Sequence, residues 1–228
     1  MFFLNVWGTH RMIMMDSKAQ LTVDVVVQKD DVVKRQPLTI EAFNAIREKA
    51  DPWFQKAMDL ALESLQSRAE IASAKFADID GDTWKVIRKK TKSYGVSARL
   101  KIKMWPELAK VLDACRDAIA SPYIVHKLPR RKQKTKAQAI LRDHPTQCLP
   151  EDISRAFATA RNKTELFEDW GQFEKPSFHE IRALGADLKR KAGWPNELIQ
   201  QLMAHSDKEM TNHYLDKHET PWTKVERE

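Results

Sequence analysis

The chain has 228 residues, of which 42% are hydrophobic and 31% charged, a composition that allows a buried core and argues against wholesale disorder. Lys and Arg total 39 against 32 Asp and Glu, and the resulting net charge of +7 favours a polyanionic partner. The two cysteines, Cys115 and Cys148, have no CxxC partner, which excludes a disulfide scaffold and a cysteine zinc site. The sequence contains no glycine-rich phosphate loop, which argues against a nucleotide-driven enzyme.

Residues 1–35 are predicted to be an appendage to the main domain. Residues 1–15 are apolar, but they lack the basic start of a signal peptide and are too short and broken to span a bilayer. We expect them to be a poorly ordered extension or, alternatively, part of a folded element. Residues 21–27 form a β-prone run, and a charged, proline-containing linker follows.

Residues 36–228 are predicted to fold as a mainly α domain with a small antiparallel β-sheet, an α+β class. Helical spacing of apolar residues occurs after Pro37, from Pro52, and over 106–119, 150–161, 178–192 and 195–203. Alternation of apolar and polar residues with a turn at 91–95 predicts a β-hairpin over 84–103. A capping box from Ser206 to Glu209 predicts a last short helix that carries Tyr214 near its end.

Two segments are rich in basic residues. Residues 88–103 contain seven Lys and Arg and no acid, and residues 126–136 contain six. Either segment alone is explained by a solvated strand face or a polar loop, but together they favour contact with a phosphate backbone. Neither contains a base-reading motif, so no sequence specificity is predicted from them. The residues predicted to contact the phosphates are Lys92, Arg99, Lys101, Arg130, Arg131 and Lys132.

The clearest chemical signal lies in the last 50 residues. His179 and Arg182 are three residues apart on a predicted helix, so they lie ~60° apart around its axis and share a face. His205 precedes the capped helix, and Tyr214 follows nine residues later. Each of these residues alone also fits a cap, a surface position or a core position. A metal site made of His179, His205 and His213 matches no zinc spacing, so no metal is predicted.

Together these residues resemble the signature of the tyrosine recombinases, the phage integrase family. His179 and Arg182 match the family's His-x-x-Arg, and the next stretch matches its Leu-x-x-His-x-x-x-x-x-Thr-x-x-Tyr. That second match consists of Leu202, His205, Thr211 and Tyr214. The similarity runs over roughly 36–228 and includes the sequences PLTIEAFNAI, MDLAL, FADIDGD and SRAFATAR. It implies a catalytic domain over 36–228, preceded by a non-family extension over 1–35.

The resemblance implies strand cutting and rejoining on double-stranded DNA without a metal, nucleotide or other cofactor. The hydroxyl of Tyr214 would attack a phosphodiester to form a 3′-phosphotyrosyl bond and release a 5′-hydroxyl. Arg182 and His205 would bind the phosphate oxygens, and His179 would assist proton transfer with the tyrosine.

The family also places a lysine in the β-hairpin as the acid for the leaving oxygen. Lys90 matches that position, and Lys92 is the alternative. The implied partners are DNA and, through residues 215–228, other integrase protomers, with no membrane partner. The implied compartment is the cytoplasm of a bacterial or phage-infected cell.

One catalytic position departs from the family pattern. The family has a further arginine in Thr-Gly-x-Arg-x-x-[Asp/Glu]-[Ile/Leu], where this chain has residues 64–71. Anchoring that pattern on Glu70 places Ser67 at the arginine position and Arg68 one residue late, which turns its side chain by ~100° on a helix. We therefore expect impaired cleavage, with Arg68 as a candidate substitute for the missing clamp.

Residues 1–35 resemble neither DNA-binding domain of full-length integrases, so we expect a catalytic domain alone. Two other functions remain open at this point. One is a DNA-binding prophage remnant that does not cut. The other is a protein that only assembles with intact integrase protomers, for which residues 215–228 would be the docking segment.

Overall fold

The computed structural model describes residues 36–88, 99–129 and 142–203 in full and, before them, the backbone of two strands. The chain divides into two units, Met1–Arg35 and Gln36–Glu228. In the first unit, β1 (Arg11–Asp16) and β2 (Ala19–Asp24) pair as an antiparallel hairpin. The sequence predicts a strand at 21–27 but no pairing partner for it.

The second unit is mainly helical, and its fold class is confirmed. Its helices are α1 (Ile40–Glu48), α2 (Pro52–Ser64), α3 (Arg68–Ser73), α4 (Pro106–Ala114), α5 (Pro150–Asn162), α6 (Glu180–Lys191) and α7 (Asn196–Met203). Proline opens α2, α4 and α5 at a first-turn position, where its missing N–H costs no hydrogen bond. Thr39 caps α1 by accepting a hydrogen bond from the Ala42 amide at 3.2 Å. The helix predicted after Ser206 lies outside the described residues.

The small sheet consists of β3 (Ile79–Asp80), β4 (Thr83–Ile87) and β5 (Arg99–Lys103), antiparallel in that order. Its register pairs Trp84 with Ile102 on the buried face and Lys85 with Lys101 on the exposed face. The predicted hairpin is therefore confirmed in its strands, while its turn at 91–95 lies outside the described residues. Alternation places every second β4 side chain in the core.

Helix α2 lies at the centre of the domain and packs against α4 and α6. An aromatic cluster of Phe54, Phe157 and Phe178 joins α2, α5 and the residues before α6, with ring centroids 6.0–6.5 Å apart. Gly185 lets α6 approach α2 closely, because a β-carbon there would lie 2.4 Å from the Leu62 carbonyl oxygen. These contacts fix the start of α6 relative to α2.

No helix in the three fully described ranges is both long enough and apolar enough to cross a bilayer.

Candidate active site

The start of α6 positions two of the predicted site residues, His179 directly before the helix and Arg182 in its first turn. The Glu180 carboxylate accepts hydrogen bonds from the Ser177 amide at 2.7 Å and the Ser177 hydroxyl at 2.6 Å, which closes the turn. Phe178 is buried in the aromatic cluster, while His179, directly before α6, is exposed. Arg182, one turn further, is only 3% exposed. His179 therefore borders solvent and Arg182 lies inside the domain.

The other end of α6 is fixed by a buried lysine. The Lys189 ammonium lies 4.7 Å from the ring centre of Trp105 and 4.8 Å from that of Trp194. It also pairs with the Glu63 carboxylate at 3.1 Å, and that carboxylate accepts a hydrogen bond from the Trp105 indole at the same distance. Cation–π contacts and a shielded ion pair together tether α6 to α2 and α4. Arg182 is therefore placed by a helix anchored at both ends.

Arg182 reaches the end of α7. Its Nη2 donates a hydrogen bond to the main-chain carbonyl of Met203, the last residue of α7. His205 follows Met203 by two residues in the chain. The structure thus brings Arg182 to the segment that leads into His205 and Tyr214, while those two residues lie outside the described ranges.

A second buried arginine binds the same carbonyl. Arg88 follows β4, and its Nη1 also donates to the Met203 carbonyl. Its Nε lies 3.7 Å from Oε1 of Glu70, a carboxylate only 3% exposed. Two guanidinium groups and one carboxylate therefore meet where α3, β4, α6 and α7 converge.

Ser67 contributes to the same cluster, whereas Arg68 lies beside another helix. Ser67 precedes α3, and its hydroxyl donates to Oε2 of Glu70. Arg68 is exposed, and its Nη1 donates to the hydroxyl of Ser154 on α5. The two side chains diverge at the helix start, where Ser67 is the extended N-cap residue and Arg68 is the first helical residue.

The turn that carries Ser67 is tied to α7 as well. Leu65 ends α2 in the left-handed region at φ +58°, the conformation that the family's glycine would favour at this position. Gln66 is buried, and its Nε2 donates to the carbonyls of Ser64 at 2.8 Å and Leu202 at 2.9 Å. Residues 64–67 and the end of α7 therefore form one connected hydrogen-bonded structure.

The described basic residues of the hairpin strand β5 are exposed. Arg99 and Lys101 lie on the solvent face of β5, with Lys101 opposite Lys85. Two carboxylates reduce this positive charge, since Asp80 pairs with Lys85 at 2.8 Å and Asp82 with Lys103 at 3.8 Å. The remaining predicted site residues lie outside the described ranges: Lys90, Lys92, Arg130, Arg131, Lys132, His205 and Tyr214.

In the sequence, Arg88 looks like one more cation of the basic segment 88–103. A signal for its different placement exists in the strand alternation. Trp84, Val86 and Arg88 follow each other at period two, so the arginine, directly after β4, continues the buried face of that strand. A buried arginine requires a charged or carbonyl partner, and Glu70 and Met203 supply both.

The two cysteines, Cys115 and Cys148, are free and buried. Burial raises the pKa of Cys115 to about 12 and that of Cys148 to about 12. A high pKa keeps each sulfur in its unreactive thiol form at neutral pH. Within the described residues, no group of three or more His, Cys, Asp or Glu side chains could hold a metal ion.

Comparison with known proteins identifies the class of protein that this fold represents. The model of the phage integrase family matches residues 36–220, and the chain belongs to that family. The integrase of Enterobacteria phage P21 is 32% identical over 199 residues, covering 85% of this chain and 49% of the relative. A prophage integrase of Escherichia coli K12 is 31% identical with the same coverage. The chain thus spans about half the length of these relatives.

Solved structures show the same fold. A lambda integrase dimer bound to a COC′ core site matches with a TM-score of 0.65 at 24% identity, covering 86% of this chain and 64% of that one. The lambda integrase catalytic core matches with a TM-score of 0.58 at 23% identity, covering 75% of this chain and 96% of that one. The second match places the described unit within the architecture of an integrase catalytic core.

Proposed function

We propose that residues 36–228 form the catalytic domain of a site-specific DNA recombinase that cuts and rejoins double-stranded DNA through a 3′-phosphotyrosyl intermediate. The observation that carries the proposal is the buried Arg182, whose guanidinium contacts Met203 just before the segment holding His205 and Tyr214. Membership of the phage integrase family and the lambda integrase that was crystallised on a core site support it.

In this proposal Tyr214 is the nucleophile and Arg182 holds a non-bridging phosphate oxygen. His205 donates a further hydrogen bond to the phosphate, and His179 assists removal of the tyrosine proton. Tyrosine has an ordinary pKa of about 10 and needs this help at neutral pH. Lys90 protonates the leaving 5′-oxygen, with Lys92 as the alternative acid. No metal or cofactor enters the reaction, because the covalent bond to tyrosine conserves the phosphodiester energy.

The cleavage step is slow in this proposal because residue 67 is serine. A serine hydroxyl can make one hydrogen bond to phosphate but cannot pair with it as a charged, two-pronged donor. Here that hydroxyl is already donated to Glu70. Loss of one preorganised donor costs roughly 10²–10³-fold in rate, so we expect weak but detectable cleavage.

A covalent-complex assay tests the proposed function. The full chain is incubated with a pool of nicked duplexes of randomised core sequence, and protein–DNA adducts are resolved on a denaturing gel. We expect a slowly accumulating adduct with the wild type and none with Tyr214→Phe. An adduct that persists in Tyr214→Phe would refute the assignment of the nucleophile. Absence of any adduct would refute the proposed recombinase activity.

The second candidate is a DNA-binding protein that does not cut. It is favoured by Ser67, which replaces an arginine, together with the exposed basic face of β5. Such a protein would bind duplex DNA with steep salt dependence yet give no adduct, so the same assay separates the two functions. In either case we place the chain in the cytoplasm of a bacterial or phage-infected cell, with DNA and other integrase protomers as partners.

A further inference from the structure

We propose that Arg88 supplies the second guanidinium of the phosphate clamp that Ser67 cannot provide. The inference rests on the proposed recombinase function. It assigns the residual cleavage activity to an arginine directly after β4, in place of one from the turn before α3. It makes Arg88 a catalytic residue, in contact with the phosphate undergoing attack. Arg68, the sequence-based candidate, is not required.

Glu70 locates the position where a clamp arginine is needed. Its Oε2 accepts the hydrogen bond of Ser67, and its Oε1 lies 3.7 Å from Nε of Arg88. The same carboxylate therefore touches the residue at the family's arginine position and the guanidinium of Arg88. A carboxylate only 3% exposed stabilises an adjacent buried guanidinium and holds its orientation.

Met203 shows where the two arginines are directed. Arg88 and Arg182 both donate to its carbonyl oxygen, so their donor nitrogens lie within about two hydrogen-bond lengths of each other, roughly 6 Å. Two guanidinium groups directed at one oxygen form the arrangement that binds an oxyanion. A phosphate oxygen close to this point would accept from both.

Arg68 is positioned differently. Its side chain is exposed, and its guanidinium donates to Ser154 on α5 instead of approaching Glu70. A clamp gains its strength from donors fixed in a site that excludes water, because Coulomb interactions weaken in a high dielectric. Arg88 is buried and held by two partners, so it meets this requirement where Arg68 does not.

The role of Arg88 in the step is electrostatic. The Tyr214 oxygen forms a bond to phosphorus and the bond from phosphorus to the 5′-oxygen breaks. The tyrosine proton leaves toward His179, and the 5′-oxygen gains a proton from Lys90. Arg88 neither gives nor takes a proton, since an arginine side chain stays protonated in proteins. It stabilises the charge that builds on the non-bridging oxygens of the five-coordinate phosphorus.

The test uses the full chain in the adduct assay with the randomised nicked pool. We expect Arg88→Gln to slow adduct formation by roughly 10²–10³-fold. Arg116→Ala removes the same charge from an exposed residue that stacks on Phe76, and it should leave the rate within about twofold. Adding Ser67→Arg to Arg88→Gln should restore part of the rate, which a purely structural role for Arg88 would not predict.

A folding control accompanies the rate measurement. Arg88→Gln leaves Glu70 as a buried carboxylate without this partner, so Glu70→Gln/Arg88→Gln is prepared as a neutral pair, and each variant's thermal midpoint is measured. A folded variant lacking Arg88 that cleaves at the wild-type rate overturns the inference. Loss of cleavage in Arg68→Ala with retention in Arg88→Gln overturns it as well.

A readout that does not depend on cleavage separates this inference from the proposed function. If the wild type forms no adduct, the recombinase proposal fails, and Arg88 is judged by binding to a duplex of arbitrary sequence at several salt concentrations. Removing one phosphate-binding cation makes the negative slope of log K against log salt shallower by about 0.9. We expect that change in Arg88→Gln and none in Arg116→Ala. An unchanged slope in Arg88→Gln would then overturn the inference that Arg88 binds the phosphate.

Discussion

Leu65 and Gly185 meet where the end of α2 crosses α6: a β-carbon built on residue 185 would lie 2.7 Å from Cδ2 of Leu65. The close approach leaves no room for any side chain at 185. Since α6 carries Arg182 three residues earlier, the spacing of the two helices at this crossing sets the depth at which the guanidinium lies.

Gly185→Ala should destabilise the domain even though alanine favours helix over glycine by about 1 kcal/mol. The added methyl group would clash with the Leu62 carbonyl at 2.4 Å, which is main chain and cannot rotate away. Overpacking of this kind costs typically about 1–3 kcal/mol, so the urea midpoint should fall. Gly171→Ala is the matched control, because its nearest neighbour is the flexible Glu174 carboxylate at 3.1 Å. Equal stability of the two variants would contradict this account.

At Leu65, replacement by glycine should leave the domain more stable than replacement by alanine, the reverse of the usual order. Leu65 is fully buried but adopts φ +58°, a conformation that costs a residue with a β-carbon about 1 kcal/mol or more. Both Leu65→Ala and Leu65→Gly lose the buried side chain, at roughly 2–5 kcal/mol. Only glycine relieves the backbone, so Leu65→Gly should be the more stable of the two variants in urea unfolding. The reverse order would show that the turn changes conformation when the leucine is removed.

The buried thiols predict a specific alkaline dependence of stability. Burial raises the pKa of Cys115 and Cys148 from 9.0 to about 12, so the folded state keeps protons that the unfolded state releases above pH 9. The contribution of the two thiols to the free energy of unfolding is therefore complete below about pH 9 and disappears as the pH rises toward 12. Urea midpoints from about pH 7 to pH 11 should fall more steeply for the wild type than for Cys115→Ala/Cys148→Ala. Rapid labelling of the native protein by a thiol reagent at about pH 8 would contradict the burial.

The exposed face of β5 should contribute to DNA binding through charge alone. Arg99→Ala/Lys101→Ala removes two exposed cations, and the negative slope of log K against log salt should become shallower by about 0.9 for each phosphate that is no longer neutralised. Lys110→Ala, an exposed cation on α4, serves as the control and should leave the slope unchanged. Measurement by fluorescence anisotropy at several salt concentrations decides the matter, and identical slopes for all three proteins would exclude this face from the interface.

Periodicity predicts the larger elements correctly because their burial follows one regular face. Helix α5, for example, opens at Pro150 and buries Ile153, Phe157 and Ala160 at helical spacing. Helix α3 is not predicted, because its six residues are too few to display a period. Its placement depends on contacts with distant residues, such as that of Arg68 with Ser154, which local patterns do not encode.

The candidate site is predictable only as far as motif spacing reaches. His179 and Arg182 lie at the start of one helix, as their spacing indicates, but the spacing does not reveal the difference in their exposure. The convergence of Arg88 with Arg182 joins residues far apart in the chain through a main-chain carbonyl, and a carbonyl carries no sequence signature. The one sequence signal for the buried position of Arg88 is the burial of every second residue along β4.

The double contact of Glu70 bears on how relatives of this chain should be surveyed. Glu70 contacts both residue 88, directly after β4, and residue 67, in the turn before α3. During divergence, the arginine that pairs with this carboxylate could therefore stand at either position. A survey that classifies homologues as catalytically inactive from residue 67 alone would misclassify such chains. We expect the two positions to covary, with arginine at 88 enriched wherever residue 67 is small and neutral.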